Sequence, residues 1–202
     1  MKLQNALRRE KKMEKWISEI ISNKKELLEN LESNGYIELV EETGRMISEA
    51  LKKGNKIILA GNGGSAADAQ HFAGEIVGRF TMERKSIPAI SLCVDPSVVT
   101  CIANDYGYDQ VFARQIEGQG KAGDVFVAIS TSGNSKNLIN AMKVARESNI
   151  KIVGFLGKKG GKMKELCDYA LVVPSDCTPR IQETHTLTVH ILCEMIEKEL
   201  FN

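Results

Sequence analysis

From residue 56 onward, the hydrophobic residues of this chain gather in short continuous runs that are apolar on both faces. Five runs rich in β-branched residues lie at 56–60, 88–93, 124–130, 151–156 and 169–173. Runs of this kind are typical of parallel strands that are buried on both sides. Stretches with helical spacing separate them, at 65–79, about 97–118, 135–148, 162–167 and 180–200. The alternation predicts right-handed crossovers and an α/β fold, a doubly wound three-layer sandwich with a five-stranded parallel sheet.

The first 54 residues follow a different pattern. Apolar residues recur at helical spacing over 5–33, "SNG" at 33–35 interrupts the pattern, and a second helix is predicted over 36–53, ended by Gly54. Two amphipathic helices need an apolar surface to cover, and a partner subunit would supply one. We therefore predict N-terminal helices over 1–54, packing on the core and at an oligomer interface, followed by an α/β domain over 55–202.

Composition and charge narrow the function classes. With a net charge of +1, the chain gives no reason to expect nucleic acid or a membrane surface as a partner. Its longest apolar runs are far too short to span a bilayer, and the first 16 residues contain no apolar stretch typical of a secretory signal. Five cysteines without a C-x-x-C pair are typical of reduced thiols. We expect a cytoplasmic protein.

The first predicted strand runs into a glycine-rich loop, "GNGGSA" at 61–66. The loop matches the relaxed dinucleotide pattern G-x-G-x-x-A, but the acidic residue that should close the second strand is missing: Glu83 precedes that strand and Asp95 is too distant. No lysine completes a P-loop either. Two interpretations stay open, a tight turn capped by Ser65 and a helix N-terminus whose amides and Ser65 bind an anion.

The third predicted strand runs into a second polar loop, "STSGNS" at 130–135. Hydroxyls and backbone amides at a helix start can form an anion nest, although a simple capped turn would use the same residues. The absence of Lys and Arg from the loop favours a phosphate monoester on a small molecule over a polyphosphate with magnesium. Ligands of such folds bind at the carboxyl ends of the strands, so two such loops in one sheet favour a phosphate ligand.

All three histidines of the chain lie on two predicted helices. His71 and Glu75 are four residues apart and share a helix face, and Gln182 and His190 share a broad face of the last helix. Two His and one Glu are a recognised zinc ligand set to which Gln can add an oxygen, and they also supply an acid/base pair. The alternative is that His71 is an ordinary helix side chain and His190 part of the apolar run "TVHIL"; His185 is interpreted as a packing residue.

Together these stretches resemble the sugar isomerase (SIS) family, from about residue 36 to the end of the chain. The resemblance rests on six segments: "GNGGSAADAQHFAGE", "PAISL", "IANDYGYDQVF", "GDVFVAISTSGNS", "GKKGGKM" and "RIQETHTLTVHILCEMIE". It implies an isomerase that converts D-sedoheptulose 7-phosphate to D-glycero-D-manno-heptose 7-phosphate, the first step towards activated heptose for lipopolysaccharide core, S-layer or capsule. It also implies a homotetramer with active sites between subunits.

The resemblance assigns roles to residues of this chain. The residues implied to bind the sugar are Asn62, Gly63, Gly64, Asn104, Asp105 and Gln182. The residues implied to hold the phosphate are Ser65, Ser130, Thr131, Ser132 and Ser135. Proton chemistry is assigned to Glu75 and His190. The implied zinc ligands are His71, Glu75, Gln182 and His190.

The sequence leaves other functions open. Replication-initiator-associating adaptor proteins share much of these motifs but lack the Glu and the final His, so the presence of Glu75 and His190 favours the enzyme. A sugar-phosphate sensor and an isomerase of another phosphosugar are further alternatives. Pro179 departs from the pattern, since some isomerases of the family carry an aspartate at this position.

Overall fold

Five parallel strands form a single sheet in the computed structural model, which describes the backbone of residues 2–202 and the side chains of residues 12–202. The strands are β1 (Ile57–Gly61), β2 (Ala89–Ser91), β3 (Val125–Ser130), β4 (Lys151–Gly157) and β5 (Tyr169–Val173). Their order is β2-β1-β3-β4-β5, and every neighbouring pair is parallel. The predicted five-stranded α/β fold is confirmed. In this order β1 and β3 lie side by side where the winding reverses. Folds of this type bind their ligands in a crevice at the carboxyl ends of two such strands.

Helices connect the strands and precede them. They are α1 (Lys2–Ser33), α2 (Tyr36–Lys52), α3 (Gly64–Val77), α4 (Pro96–Tyr106), α5 (Ala113–Gln119), α6 (Lys136–Glu147) and α7 (Thr178–Phe201), with 3-10 turns at Tyr108–Gln110 and Gly161–Leu166. All residues of β1 and β3 are buried, which explains their unbroken apolar runs. Fully buried side chains such as Phe126 each contribute roughly 1.5–3 kcal/mol by leaving water.

Two predicted elements differ from the structure. The single helix expected over about 97–118 is wrong, because Gly107 adopts φ 88 and ψ 154, ends α4 and leads into a 3-10 turn before α5. Only glycine adopts this backbone conformation readily, which makes Gly107 a helix terminator. The helix expected over 162–167 is a 3-10 turn instead of an α-helix.

The chain divides into two compact units, Met1–Tyr36 and Ile37–Asn202. Most of α2 therefore belongs to the larger unit, where it packs on α7: a Cβ built on Gly44 would lie 2.7 Å from Met195 Cε. The division predicted at residue 54 stays a prediction. None of the helices over residues 2–202 has the length and apolar character needed to cross a bilayer.

Candidate active site

The glycine-rich loop makes a tight passage from β1 into α3. A Cβ built on Gly61 would lie 2.3 Å from the carbonyl oxygen of Ser65, so only glycine fits there. Gly63, with φ 57, is the N-cap of α3 and makes no side-chain capping bond. The interpretation of Ser65 as the cap is therefore wrong, since Ser65 is buried inside the first helical turn. Its proposed role in anion binding stays a prediction.

The second polar loop gathers its hydroxyl groups at the end of β3. Ser130 Oγ lies 3.0 Å from Ser135 Oγ and 3.4 Å from Ser132 Oγ. Two backbone N–H groups donate to serine oxygens in the same loop, Gly133 N to Ser130 Oγ at 3.2 Å and Asn134 N to Ser132 Oγ at 3.2 Å. Three serine hydroxyls thus converge beside the start of α6, as an anion site requires.

The turn that follows β4 packs against the hydroxyl loop (residues 130–135). Gly133 has φ 64, and a Cβ built on it would lie 1.9 Å from the carbonyl oxygen of Gly160. Met163 N donates to Gly133 O at 2.9 Å, and Lys162 N donates to Asn134 Oδ1 at 3.1 Å. Backbone N–H groups of the segment that follows β4 therefore hold the hydroxyl loop, through one backbone and one side-chain oxygen.

Asn62 links the two loops across the crevice. Its amide exchanges two hydrogen bonds with Asn137 of α6, at 3.0 and 2.9 Å, and its oxygen also accepts from Tyr108 OH at 3.0 Å. Asn137 and Tyr108 are not among the site residues predicted from the sequence. The only local signal was a second asparagine just after the "STSGNS" loop, which also fits an ordinary first helical turn.

Helices α3 and α7 run parallel and meet at intervals of four residues along α7. A Cβ built on Gly64 would lie 2.2 Å from Gln182 Nε2. One turn further, Thr186 Oγ1 donates to Asp68 Oδ1 at 3.2 Å. The next contact joins His71 to His190. This packing brings the predicted residues of the two helices into one row.

The ionisable residues of this row form a compact cluster. His71 Nε2 lies 2.9 Å from His190 Nε2, and His71 Nδ1 lies 3.6 Å from Glu75 Oε1. The ring of Phe80 lies against His190, with centroids 5.4 Å apart and planes inclined by 30°. Burial raises the pKa of Asp68, partly offset by the hydrogen bond from Thr186 and by the charge of His71. Asp68 Oδ2 is buried and finds no hydrogen-bond partner among the described residues.

The cluster fits zinc in part. Two imidazole nitrogens converge, and a carboxylate lies at the other nitrogen of His71, where carboxylates commonly orient metal-binding histidines. Among residues 12–202, however, no group of three or more His, Cys, Asp or Glu side chains is arranged to hold a metal ion. His71 and His190 thus suit two ligand positions, whereas Glu75 does not gather with them around one point. The role of Gln182 as a zinc ligand stays a prediction.

A buried ion pair fixes the segment between α3 and β2 to α7. Glu197 accepts backbone hydrogen bonds from Phe80, Thr81 and Met82 at 2.8–2.9 Å, and its Oε1 lies 2.9 Å from Arg84 Nε. Both charged side chains are only 1% exposed. Arg84 also donates to carbonyl oxygens at the end of α3, including that of Glu75. The pair therefore holds the backbone at Glu75 and places Phe80 beside His190.

The remaining predicted residues lie apart from this row. Asn104 and Asp105 are exposed near the end of α4, where Asn104 Nδ2 donates to Asp105 Oδ1 at 2.8 Å. No hydrogen bond of the described residues joins them to Asn62 or to the hydroxyl loop. His185 is fully buried, with Nε2 3.0 Å from Leu156 O, which confirms that it is a packing residue.

Comparison with known proteins agrees with this architecture. The SIS domain family matches residues 16–157. The phosphoheptose isomerase of Sulfurimonas denitrificans is 52% identical over 190 residues, covering 94% of this chain and 97% of that protein. The structure of phosphoheptose isomerase GmhA from Neisseria gonorrhoeae superposes with a TM-score of 0.87 at 38% identity, covering 92% of this chain and 99% of that one. A phosphoheptose isomerase from Francisella tularensis gives a TM-score of 0.87 at 32% identity, covering 91% and 97%. The chain therefore belongs to the SIS domain family and, within it, to the phosphoheptose isomerases.

Proposed function

We propose that this chain converts D-sedoheptulose 7-phosphate to D-glycero-D-manno-heptose 7-phosphate by aldose–ketose isomerisation. The observation that carries the proposal is the Glu75–His71–His190 cluster, which shares a single α/β unit with a loop of converging serine hydroxyls. The hydroxyl loop suits the phosphate of the substrate, and the cluster supplies proton-transfer groups for its carbonyl end.

The reaction needs two proton transfers at carbon, each accompanied by one at oxygen, and no external oxidant. Glu75 removes a proton from C1 of the ketose while the C2 carbonyl oxygen gains a proton, which gives a cis-enediol. A proton then returns to C2 while the C1 hydroxyl loses its proton, which leaves the aldehyde. His190 moves the protons on and off the oxygens. A positioned acid or base typically contributes about 10²–10⁴-fold in rate.

The phosphate end supports this chemistry by orientation. Serine hydroxyls and backbone N–H groups bind the phosphate, and the binding energy holds the sugar carbons against Glu75. Zinc is part of the proposal: His71 and His190 would hold it, with Glu75 and Gln182 as the further ligands implied by the family. When bound, zinc would polarise the substrate carbonyl and stabilise negative charge on oxygen.

The assembly and location are proposed as well. We propose a homotetramer with active sites between subunits, working in the cytoplasm towards activated heptose for lipopolysaccharide core, S-layer or capsule. Exposed apolar side chains on α1, at Trp16, Ile17 and Ile21, support an intersubunit contact.

Turnover of sedoheptulose 7-phosphate, followed by NMR or mass-coupled chromatography, tests the proposal. We expect an aldoheptose 7-phosphate from the wild type and none above background from Glu75→Gln. Glu117→Gln is the control, because Glu117 is exposed and pairs with Arg114 across one helical turn. No product at high enzyme concentration with zinc added would contradict the proposal and favour a binding protein. Equal rates in wild type and Glu75→Gln would remove Glu75 as the base.

A further inference from the structure

A backbone N–H sets the orientation of two asparagine amides in the crevice. Leu138 N donates to Asn137 Oδ1 at 2.9 Å, and because a backbone N–H can only donate, the atom that faces it must be the amide oxygen. The same oxygen accepts from Asn62 Nδ2 at 3.0 Å, while Asn137 Nδ2 donates to Asn62 Oδ1 at 2.9 Å. Turning the Asn62 amide over would place oxygen against oxygen and nitrogen against nitrogen.

The acceptor capacity of Asn62 is already used within the chain. Its Oδ1 accepts from Asn137 Nδ2 and from Tyr108 OH, which occupies both lone pairs of an amide oxygen. Its Nδ2 carries two hydrogens, of which one is donated to Asn137. The hydrogen bonds of the described residues give the second hydrogen no acceptor. Asn62 can therefore offer a ligand a hydrogen-bond donor but no acceptor.

Asn137 is the fixed member of this arrangement. It is 4% exposed, so water cannot replace the hydrogen bonds that it makes, whereas Tyr108 is 56% exposed. It also lies in the first turn of α6, directly after the hydroxyl loop, while Asn62 directly follows β1. The asparagine pair thus spans the crevice between the two loops assigned to the substrate.

We infer that Asn137 is a positioning residue that fixes Asn62 as a hydrogen-bond donor to an oxygen of the bound sugar phosphate. The inference rests on the proposed function for the identity of the ligand, while the orientation of the amide follows from the contacts above. Asn137 itself touches no substrate; it acts through Asn62.

A double-mutant cycle separates this role from a purely structural one. We expect Asn62→Ala and Asn137→Ala each to lower kcat/KM for sedoheptulose 7-phosphate about tenfold, and to raise the dissociation constant measured by calorimetry similarly. The double variant should match Asn62→Ala within about twofold, because Asn137 has nothing left to position. Equal losses from Asn137→Ala with and without Asn62 would overturn the inference, since a structural role lowers activity in both backgrounds.

Two further variants guard against simple unfolding. Asn137→Asp keeps the acceptor for Leu138 N and nearly the same volume but removes the donor to Asn62 Oδ1, so we expect the same tenfold loss in kcat/KM. Because a carboxyl group at this buried position lowers the melting temperature, the rates are compared at a temperature at which thermal unfolding shows the variant to be folded. Asn140→Ala is the control on the same helix, because Asn140 bonds to Asp109 O and not to Asn62. Wild-type kcat/KM in Asn137→Asp would overturn the inference.

The outcomes also distinguish the inference from the proposed function. A wild type that binds sedoheptulose 7-phosphate without converting it contradicts the proposed function, and the cycle in dissociation constants then decides the role of Asn137. A wild type that converts the sugar while the cycle is additive contradicts the inference alone. A wild type that does not bind the sugar overturns both.

Discussion

His71 and His190 face each other across two parallel helices, with their Nε2 atoms 2.9 Å apart. The carboxylate of Glu75 lies at the opposite nitrogen of His71, 3.6 Å from Nδ1. Two ring nitrogens that converge in this way suit a shared cation or a shared proton. The arrangement comes from parallel packing, since His71 on α3 and His190 on α7 belong to a row of contacts that begins at the starts of both helices.

Zinc binding should depend on both histidines. We expect His71→Ala and His190→Ala each to lower zinc affinity by more than about 10-fold, because loss of even an indirect partner of a zinc ligand costs 10–100-fold. Metal content after dialysis, measured by mass spectrometry, tests this without reference to activity. His185→Gln is the control histidine, because His185 is buried against Leu156 O and should keep the metal. Full zinc occupancy in both alanine variants would contradict the assignment.

The Arg84–Glu197 pair should make the protein sensitive to acid. Burial raises the pKa of Glu197, but the hydrogen bonds from the backbone of Phe80, Thr81 and Met82 outweigh it and bring the pKa down to about 2 from 4.5. A folded-state pKa below the unfolded value stabilises the protein above pH 4.5, and this contribution is lost as the pH falls towards 2. The difference corresponds to about 3 kcal/mol in the free energy of unfolding.

Glu197→Gln tests this contribution. We expect it to destabilise the fold by about 3–5 kcal/mol at pH 6, because it leaves the buried guanidinium of Arg84 without its counter-charge. The gap to the wild type should narrow as the pH falls from 4.5 to 2. Denaturant unfolding at fixed protein concentration measures the destabilisation at pH 6 and its change between pH 4.5 and pH 2. Glu194→Gln on the same helix removes an exposed pair with Lys198 and should cost less than about 1 kcal/mol. A gap that does not change with pH would contradict the argument.

The sequence predicted the fold better than it predicted the contacts within the site. The strand at 169–173 begins and ends where predicted, because runs that are apolar on both faces are a local signal. The polar loops at 61–66 and 130–135 were recognisable because they too are local signals in the sequence. The partners of Asn62 were not, because Asn137 and Tyr108 are 75 and 46 residues away in the chain.

The same limit applies to the buried ion pair. Arg84 and Glu197 are 113 residues apart, and each alone fits a solvated surface residue. In the helix expected over about 97–118, by contrast, the error was local: Gly107 was available as a terminator, but the apolar pattern on both sides of it favoured continuity.

Gly133 should tolerate no side chain in the hydroxyl loop. We expect Gly133→Ala to destabilise the protein by about 2–5 kcal/mol, since the residue has φ 64 and its Cβ would lie 1.9 Å from Gly160 O, a backbone atom. Gly54→Ala is the control: Gly54 has φ 80, but nothing lies within 4 Å of its Cβ, so it should cost only about 1–2 kcal/mol. Thermal unfolding compares the two. Equal losses of stability in the two variants would mean that contact with Gly160 does not constrain the hydroxyl loop.

Gly64 and Gly74 lie on the same helix and should respond to alanine in opposite ways. A Cβ on Gly64 would lie 2.2 Å from Gln182 Nε2, whereas nothing lies within 4 Å of a Cβ on Gly74. Because the end of a glutamine side chain can move, Gly64→Ala should leave the fold intact but displace the Gln182 amide.

We therefore expect Gly64→Ala to lower kcat/KM about tenfold, the loss of roughly one hydrogen bond to the substrate or metal, with little change in melting temperature. Gly74→Ala should raise stability by about 0.5–1 kcal/mol through helix propensity and leave kcat/KM unchanged. Steady-state kinetics and thermal unfolding of both variants separate the two effects. Normal kcat/KM in Gly64→Ala would mean that the position of Gln182 against α3 does not matter for turnover. Gln182 would then have to be removed from the proposed set of substrate and zinc ligands.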